Sequence, residues 1–392
     1  MPGPHRIAVA LATLVVAVCA LALPRPAAAR APIAHIAQAA EPVLPTADDP
    51  GAVGTPAGWR QLQWNLLADH YGIDVEPAWA RAAAAGRPGA RGIVVAVLDT
   101  GVAYADHGKF RRSPDLAGTS FARGYDFVDG DPYPDDHNGH GTHVASTIAE
   151  RTNNGIGVTG IAYEATIMPV RVLDSRGEGD ADVIARGVRY AARHGADVIN
   201  LSLEFPGDVK AREIRPLLRA IKDAHNRGVV IVGASGNEAG KVVTYPARAP
   251  QVIATGATTE HGCLSDFSNE GKGLDLVAPG GGADADLIDD PRCLPLQPPG
   301  LDIYQMTFVN HDPGKFGLPS GYEGTSMAAP HVSGVVALML AGGVLGANPT
   351  PTAVLARLKA TAIDLGAPGY DRRYGAGLIN ANAATAAITS SG

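Results

Sequence analysis

Residues 92–99 read Gly92-Ile93-Val94-Val95-Ala96-Val97-Leu98-Asp99, an apolar, largely β-branched run that ends on a carboxylate. A strand covered on both faces has no polar side to show, so it reads as continuous hydrophobicity rather than alternation. The same pattern returns at Ile167 to Leu173, Val198 to Leu203, Val229 to Val232, Val252 to Thr255 and Leu274 to Val277. Between them, Asp182 to His194 and Ile214 to Asn226 carry helical periodicity. Strand, helix, strand in repetition predicts an α/β fold of three layers, a mostly parallel sheet with helices on both faces. In such a sheet reactive residues gather beyond the carboxyl ends of strands. Asp99, Glu204 and Asn237 each stand just after a strand run.

Composition narrows the class of function. The chain has 392 residues, 46% of them hydrophobic and 18% charged, enough apolar matter for a large core. Its net charge of −7, with no block of Lys or Arg, excludes the electrostatic footprint of a nucleic-acid binder. Residues 1–30 read as a secretory signal: His5 and Arg6, then the apolar run Ile7 to Leu23, then the small residues Ala27, Ala28 and Ala29. An uncleaved membrane anchor is the rival reading of that run. Cys19 follows the bulky Val18, which does not suit a lipid-modified cysteine. Residues 31–60, rich in Ala, Pro and Gly, are expected to be an unstructured leader or short pro-segment. Residues 61–389 are expected to form one catalytic domain. Removing the signal leaves Cys263 and Cys293, which in an oxidising compartment are expected to pair, although two free buried thiols remain an open alternative.

Two further stretches carry chemistry. Ser326 lies in Gly324-Thr325-Ser326-Met327-Ala328-Ala329-Pro330, ahead of the apolar run Val332 to Leu340. Pro330 is expected in the first turn of a helix that starts beside the serine. Taken alone, Ser326 could simply cap that helix. His140 lies in a Gly-rich turn, His137-Asn138-Gly139-His140-Gly141-Thr142-His143, that runs into a second apolar helix. A serine hydroxyl needs a histidine to take its proton, and the histidine needs a carboxylate to hold its tautomer. Asp99 at a strand end can be that carboxylate. The recurrence of His137, His140 and His143 also suggests a metal, but the glycines put the first two in a loop and no metalloprotease His-Glu pair is present.

Taken together these stretches resemble the subtilases, the subtilisin-like serine proteases, over roughly residues 61–389. Val97-Leu98-Asp99-Thr100-Gly101 resembles the family's aspartate motif, His140-Gly141-Thr142-His143-Val144-Ala145 its histidine motif, and Gly324 to His331 its serine motif, in the order the family shows. The resemblance implies a secreted serine endopeptidase acting on proteins or peptides as a monomer, with no cofactor for catalysis. It implies Asp99, His140 and Ser326 as the triad and Asn237, in Ala234-Ser235-Gly236-Asn237, as oxyanion donor. A subtilase fold without activity, used for binding, is the alternative. Substrate is implied to lie extended between Ser202-Leu203-Glu204 and Ala234-Ser235-Gly236. Thr244 is implied at the floor of the primary specificity pocket.

Two departures and one further resemblance matter. Glu204 and Phe205 stand where the family has glycines, so Glu204 is expected to favour Lys or Arg two to four residues before the cleaved bond, or else to pair with Lys210 or Arg212. A structural calcium site is implied at Asn153-Asn154-Gly155-Ile156-Gly157-Val158, with Asp115, Asn154, Thr152, Ile156 and Val158 as ligands and Gln63 as a further one. Residues 279–321, with Asp284, Asp286, Asp289 and Asp290, are longer than compact relatives need and are expected to be a solvated loop pinned by the cysteines.

Overall fold

The computed structural model describes residues 47–51, 57–69, 71–287, 290, 293 and 300–388. The signal expected at 1–30 lies outside the described residues, as do residues 31–46 of the leader. The central sheet contains β1 (Val94–Asp99), β2 (Ser120–Phe121), β3 (Tyr125–Asp126), β4 (Thr166–Arg171), β5 (Val198–Leu201), β6 (Val230–Ala234), β7 (Ile253–Thr258) and β8 (Leu276–Pro279). Every pairing is parallel, in the order β2-β4-β1-β5-β6-β7-β8. β3 pairs with the far end of β4, on the edge β2 also occupies, so the two form one interrupted edge strand.

The three layers follow from the pleat, since successive side chains along a strand point to opposite faces. Val95 and Val97 of β1 join α1 (Glu76–Ala84), α2 (His140–Ala149) and α5 (Thr325–Gly342) in one core. Ala96 and Leu98 join α3 (Ala181–Arg193) and α4 (Arg215–Asn226) in the other. Helices α6 (Pro351–Thr361) and α7 (Ala381–Thr385) close the chain on the first side. The expected strands and both expected helices are present, with ends shifted by a few residues.

Two expectations are corrected. Within the supposed leader, Asp49 and Trp59 are wholly buried, and the Trp59 indole N–H donates to the Ala47 carbonyl at 2.8 Å. Burying a large indole and satisfying its donor makes this stretch part of the domain. The insertion, too, is more than a solvated loop. It contains the antiparallel hairpin β9 (Thr307–Val309) and β10 (Asp312–Gly317). Its Ile303, Gln305, Met306 and Thr307 are buried, with Ile303 and Met306 carbonyls accepting from His143 and Ser146 of α2. Asp284 accepts from Thr259 and His261, and Asp290 accepts from Tyr374; Asp289 lies outside the described residues. Cys263 and Cys293 form a disulfide across a separation of 30 residues.

Chain direction reverses across the sheet at β1: the chain steps out to β4 on one side, then builds β5 to β8 on the other. A crevice opens beyond the carboxyl ends of strands at such a switch point. β1 ends there on Asp99, and β5 ends one residue before Ser202.

Candidate active site

The site is assembled by strand ends on one wall and two helix starts on the other. Asp99 closes β1, is fully buried, and accepts from the Thr100 backbone N–H and from His140 Nδ1, each at 2.7 Å. His140 is the first residue of α2. Close approach of that helix to β1 depends on Gly141, because a Cβ there would meet the Gly101 carbonyl oxygen at 2.1 Å. Burial disfavours the imidazolium, but the Asp99 charge and hydrogen bond outweigh it, so His140 titrates above its ordinary value. With Nδ1 held by Asp99, Nε2 is the nitrogen left for chemistry.

Sequence reasoning missed Asp136. Its carboxylate accepts from Thr100 Oγ1, from the N–H groups of Asn138, Gly139 and Thr142, and from Thr142 Oγ1, so it fastens the start of α2 to the end of β1. An acid four residues before the helix, where free N–H groups collect, was the available signal. The other histidines do not gather. His143 is buried, stacks on Tyr322 and is pushed down to about 3 by burial, while His137 packs on Phe110.

Ser326 is the second residue of α5 and lines, with His140, Ser202, Leu203, Glu204 and Phe205, a cleft of about 470 Å³. Its hydroxyl donates to the Ser202 carbonyl at 3.2 Å. A free enzyme often holds its catalytic groups in such a loosened arrangement until substrate tightens it. Pro330 lies deeper in α5 than the first turn expected for it. Lacking an N–H, it leaves the Ser326 carbonyl without its helical donor. The Ser202 hydroxyl supplies one at 2.7 Å, and is itself held by Asn200 Nδ2 at 2.9 Å. Ser333 in turn donates to Asn200 Oδ1 at 2.8 Å. This network ties β5 to the catalytic helix, and no local motif announces it.

Asn237 follows Gly236 at the end of the β6 run. Its Oδ1 accepts from the Thr325 N–H at 2.8 Å and from Thr325 Oγ1 at 3.0 Å. That fixes which end of the amide is oxygen and leaves Nδ2 as the donor. Gly236 has φ 116° and no room for a Cβ, which would meet Asn269 Nδ2 at 2.1 Å. Thr244 is buried beneath Ser235 and donates to its carbonyl through both N–H and Oγ1.

Glu204 stands elsewhere than expected. Neither Lys210 nor Arg212 meets it. Its carboxylate reaches across to the opposite wall, accepting from Asn237 Nδ2 at 3.0 Å and from the Asn237 backbone N–H at 3.2 Å. Burial first, then the like charge of Glu238, pushes it up to about 7.

The residues expected to hold calcium do come together, but their polar atoms pair with one another. Asp115 accepts from Asn154 Nδ2 at 2.7 Å and from the Val158 N–H at 3.0 Å. Asn154 Oδ1 accepts from Ile156 N–H, and Gln63 Oε1 from Thr159 N–H. Asp49 brings a second carboxylate, accepting from Thr152 Oγ1 and from the N–H groups of Asn153 and Asn154. Calcium takes oxygen ligands. The Asp115 carboxylate and the Asn154 and Gln63 amide oxygens each already face an N–H group, so an ion at the expected site would share these oxygens with those donors.

Comparison with known proteins identifies the family and the fold. Residues 90–377 match the subtilase family. M-protease of Shouchella clausii is 40% identical over 296 residues, covering 75% of this chain and 64% of that protein. Subtilisin Savinase of Lederbergia lenta is 39% identical over 296 residues, covering 75% of this chain and 91% of that protein. An extracellular protease of Xanthomonas campestris is 35% identical over 368 residues, covering 83% of this chain and 56% of that one. Among solved structures, one of proteases from Pseudoalteromonas arctica superposes with a TM-score of 0.66 at 29% identity, covering 87% of this chain and 98% of that one. The family match over residues 90–377 and relatives about 39% identical over 75% of the chain establish that the chain belongs to the subtilase family of serine proteases.

Proposed function

We propose that this chain is a secreted serine endopeptidase that cleaves peptide bonds through an acyl-enzyme on Ser326. The observation that carries the reading is the 2.7 Å bond from His140 Nδ1 to buried Asp99, with Nε2 left toward the cleft that Ser326 lines. His140 Nε2 takes the hydroxyl proton as Ser326 Oγ attacks the carbonyl carbon, and Asp99 stabilises the imidazolium. The oxyanion accepts from Asn237 Nδ2 and from the Ser326 backbone N–H; such a side-chain donor contributes roughly 100- to 1000-fold in turnover. His140 then protonates the leaving amine, and water repeats the sequence on the acyl-enzyme. Secretion rests on the signal-like residues 1–30 and on the Cys263–Cys293 disulfide, which suits an oxidising compartment. A fluorophosphonate probe tests the reading: folded protein carries one adduct on Ser326, and Ser326→Ala carries none. Folded wild-type protein without an adduct would favour a silent binding protein instead.

A further inference from the structure

The resemblance leaves Glu204 unexplained, since the family usually has glycine there. In this chain a half-buried carboxylate spans the cleft. Glu204 Oε1 lies 3.0 Å from Asn237 Nδ2, the nitrogen assigned to the scissile carbonyl oxygen. Oε2 lies against the far wall, 2.6 Å from where a Cβ on Gly236 would sit. Among the described residues, no Lys, Arg or His forms an ion pair with Glu204 or with Glu238. The groups facing Glu204 are Asn237, a donor, and Glu238, a like charge whose own partner is Asn269 Nδ2 at 2.5 Å. The carboxylate therefore sits beside the oxyanion donor with no cation to neutralise it, and Glu238 beside it raises its affinity for a proton.

We propose that Glu204 selects substrates carrying lysine or arginine on the residue that supplies the scissile carbonyl, by exchanging its hold on Asn237 for an ion pair with that cation. This rests on the protease reading above. The side chain of that residue branches from the Cα bonded to the carbonyl carbon, so it emerges beside Asn237, within reach of a carboxylate already bonded to that amide. A neutral side chain leaves the carboxylate where it is. Its charge then opposes the negative charge that develops on the oxyanion, and it occupies one of the amide's two N–H groups. A cationic side chain removes both penalties, because an ion pair with a charged donor is stronger than a hydrogen bond to a neutral amide. Selection therefore shows in turnover as well as in binding, and it moves from the upstream positions read from sequence to the residue at the cut. With Glu204 pushed up to about 7, the acid is ionised and selective above that pH and neutral and indifferent below it.

The test uses tetrapeptide substrates that differ only in lysine or norleucine at that residue, with wild type, Glu204→Gln and Glu204→Gly, at pH 6 and pH 9 and low salt. Wild type should prefer lysine about tenfold in kcat/KM at pH 9, the scale of one charge-assisted contact at a partly desolvated site, with part of the gain in kcat. The preference should shrink toward parity at pH 6 and at high salt. Glu204→Gln keeps the shape and loses the charge, so it should abolish the preference and raise turnover of the norleucine peptide. If Glu204→Gln and wild type show the same lysine-to-norleucine ratio at pH 9 while both label with fluorophosphonate, this inference falls and the protease reading stands. If Ser326 in folded wild type takes no label, both fall.

Discussion

The two ends of α2 each meet a buried acid, and they do opposite things with it. At the amino end, Asp99 faces an imidazole that can take a proton, and the pair forms the 2.7 Å bond on which the proposed mechanism turns. At the carboxyl end, Glu150 is fully buried against Asp115, with Met306 N–H as its backbone donor at 3.1 Å and no basic group in the pair. Burial pushes Glu150 well above the ordinary carboxylate range, and Asp115 adds to it; burial likewise pushes Asp115 up to about 7. A carboxylate desolvated beside a protonatable base raises that base's affinity for a proton, whereas two desolvated side by side each hold a proton more tightly. One helix thus carries the proposed general base, beside a carboxylate, at its start and two acids pushed toward their protonated forms at its end.

The largest effects belong to the amino end. Ser326→Ala and His140→Ala should each cost on the order of a million-fold in kcat, the loss known for removing either member of a subtilisin triad. The double variant should lose little more than either one, because the residues act as a unit; a loss equal to the product would break the shared mechanism. Asp99→Asn should cost about ten-thousand-fold, since an amide can hold the imidazole in the wrong tautomer. Glu150→Gln, at the other end of the helix, should leave turnover near wild type. If Glu150→Gln lost as much as Asp99→Asn, the two ends would not differ in this way. The pH profile sharpens the same contrast. His140 must be neutral to act as base and titrates above its ordinary value, so kcat/KM should climb through and beyond the usual histidine range, and a flat profile there would contradict the role.

Why one end was legible in the sequence and the other was not is a matter of chain distance. Asp99, His140 and Ser326 each sit inside a contiguous run whose glycines and flanking apolar residues state the local geometry. The sheet was legible for the same reason, since each buried strand announces itself within a few residues. The acid cluster joins Asp49, Asp115 and Glu150, three residues with no shared period or motif, and sequence does not show that the loop at 152–158 turns its donors toward Asp49 and Asp115. Glu204 shows the same limit: a side chain 33 positions from Asn237 gives no sign in sequence that it turns inward rather than toward solvent. The stretch Ala47–Gly51 was hidden by its composition, because its contribution is one buried carboxylate and a carbonyl for Trp59.

Stability offers a second way to sharpen the comparison. Glu150 and Asp115 have folded-state proton affinities raised above their unfolded values, so their contribution is fully present below the ordinary carboxylate range and is lost as pH rises through the folded values. In a Ser326→Ala background, which prevents self-digestion, stability should fall between about pH 5 and pH 8. The fall should total a few kcal/mol, at roughly 1.4 kcal/mol for each pH unit over which the unfolded chain has released a proton that the folded one retains. Glu150→Gln mimics the protonated acid: its amide nitrogen can donate to Asp115 while its oxygen still accepts from Met306. That variant should flatten the fall and melt higher than its parent at pH 8. A parent and variant that lose stability in parallel over this range would remove the acid pair as its cause.

The smallest expected effect concerns calcium, and it is the one that could redraw the carboxyl end of α2. An ion bound only by the native state stabilises it by mass action, so a real site would raise the melting temperature as calcium is added and lower it under chelator. Here Asp115 already accepts from Asn154 Nδ2 and Val158 N–H, and Asn154 and Gln63 spend their side-chain oxygens on backbone donors. An ion would share these oxygens with their present donors and weaken those bonds, each worth about 1 kcal/mol. It would also have to displace the protons that burial favours on Glu150 and Asp115. The melting temperature of the Ser326→Ala protein at pH 7 should therefore be the same in chelator and in excess calcium, and Asp115→Asn should leave that indifference unchanged. Competition with those protons gives the measurement its direction: calcium, if it bound, would do so better as pH rises, and it would cancel the alkaline loss of stability that Glu150→Gln cures. A calcium-dependent rise of several degrees at pH 8, absent in Asp115→Asn, would replace the acid pair with an ion site and make both ends of α2 charge-compensated.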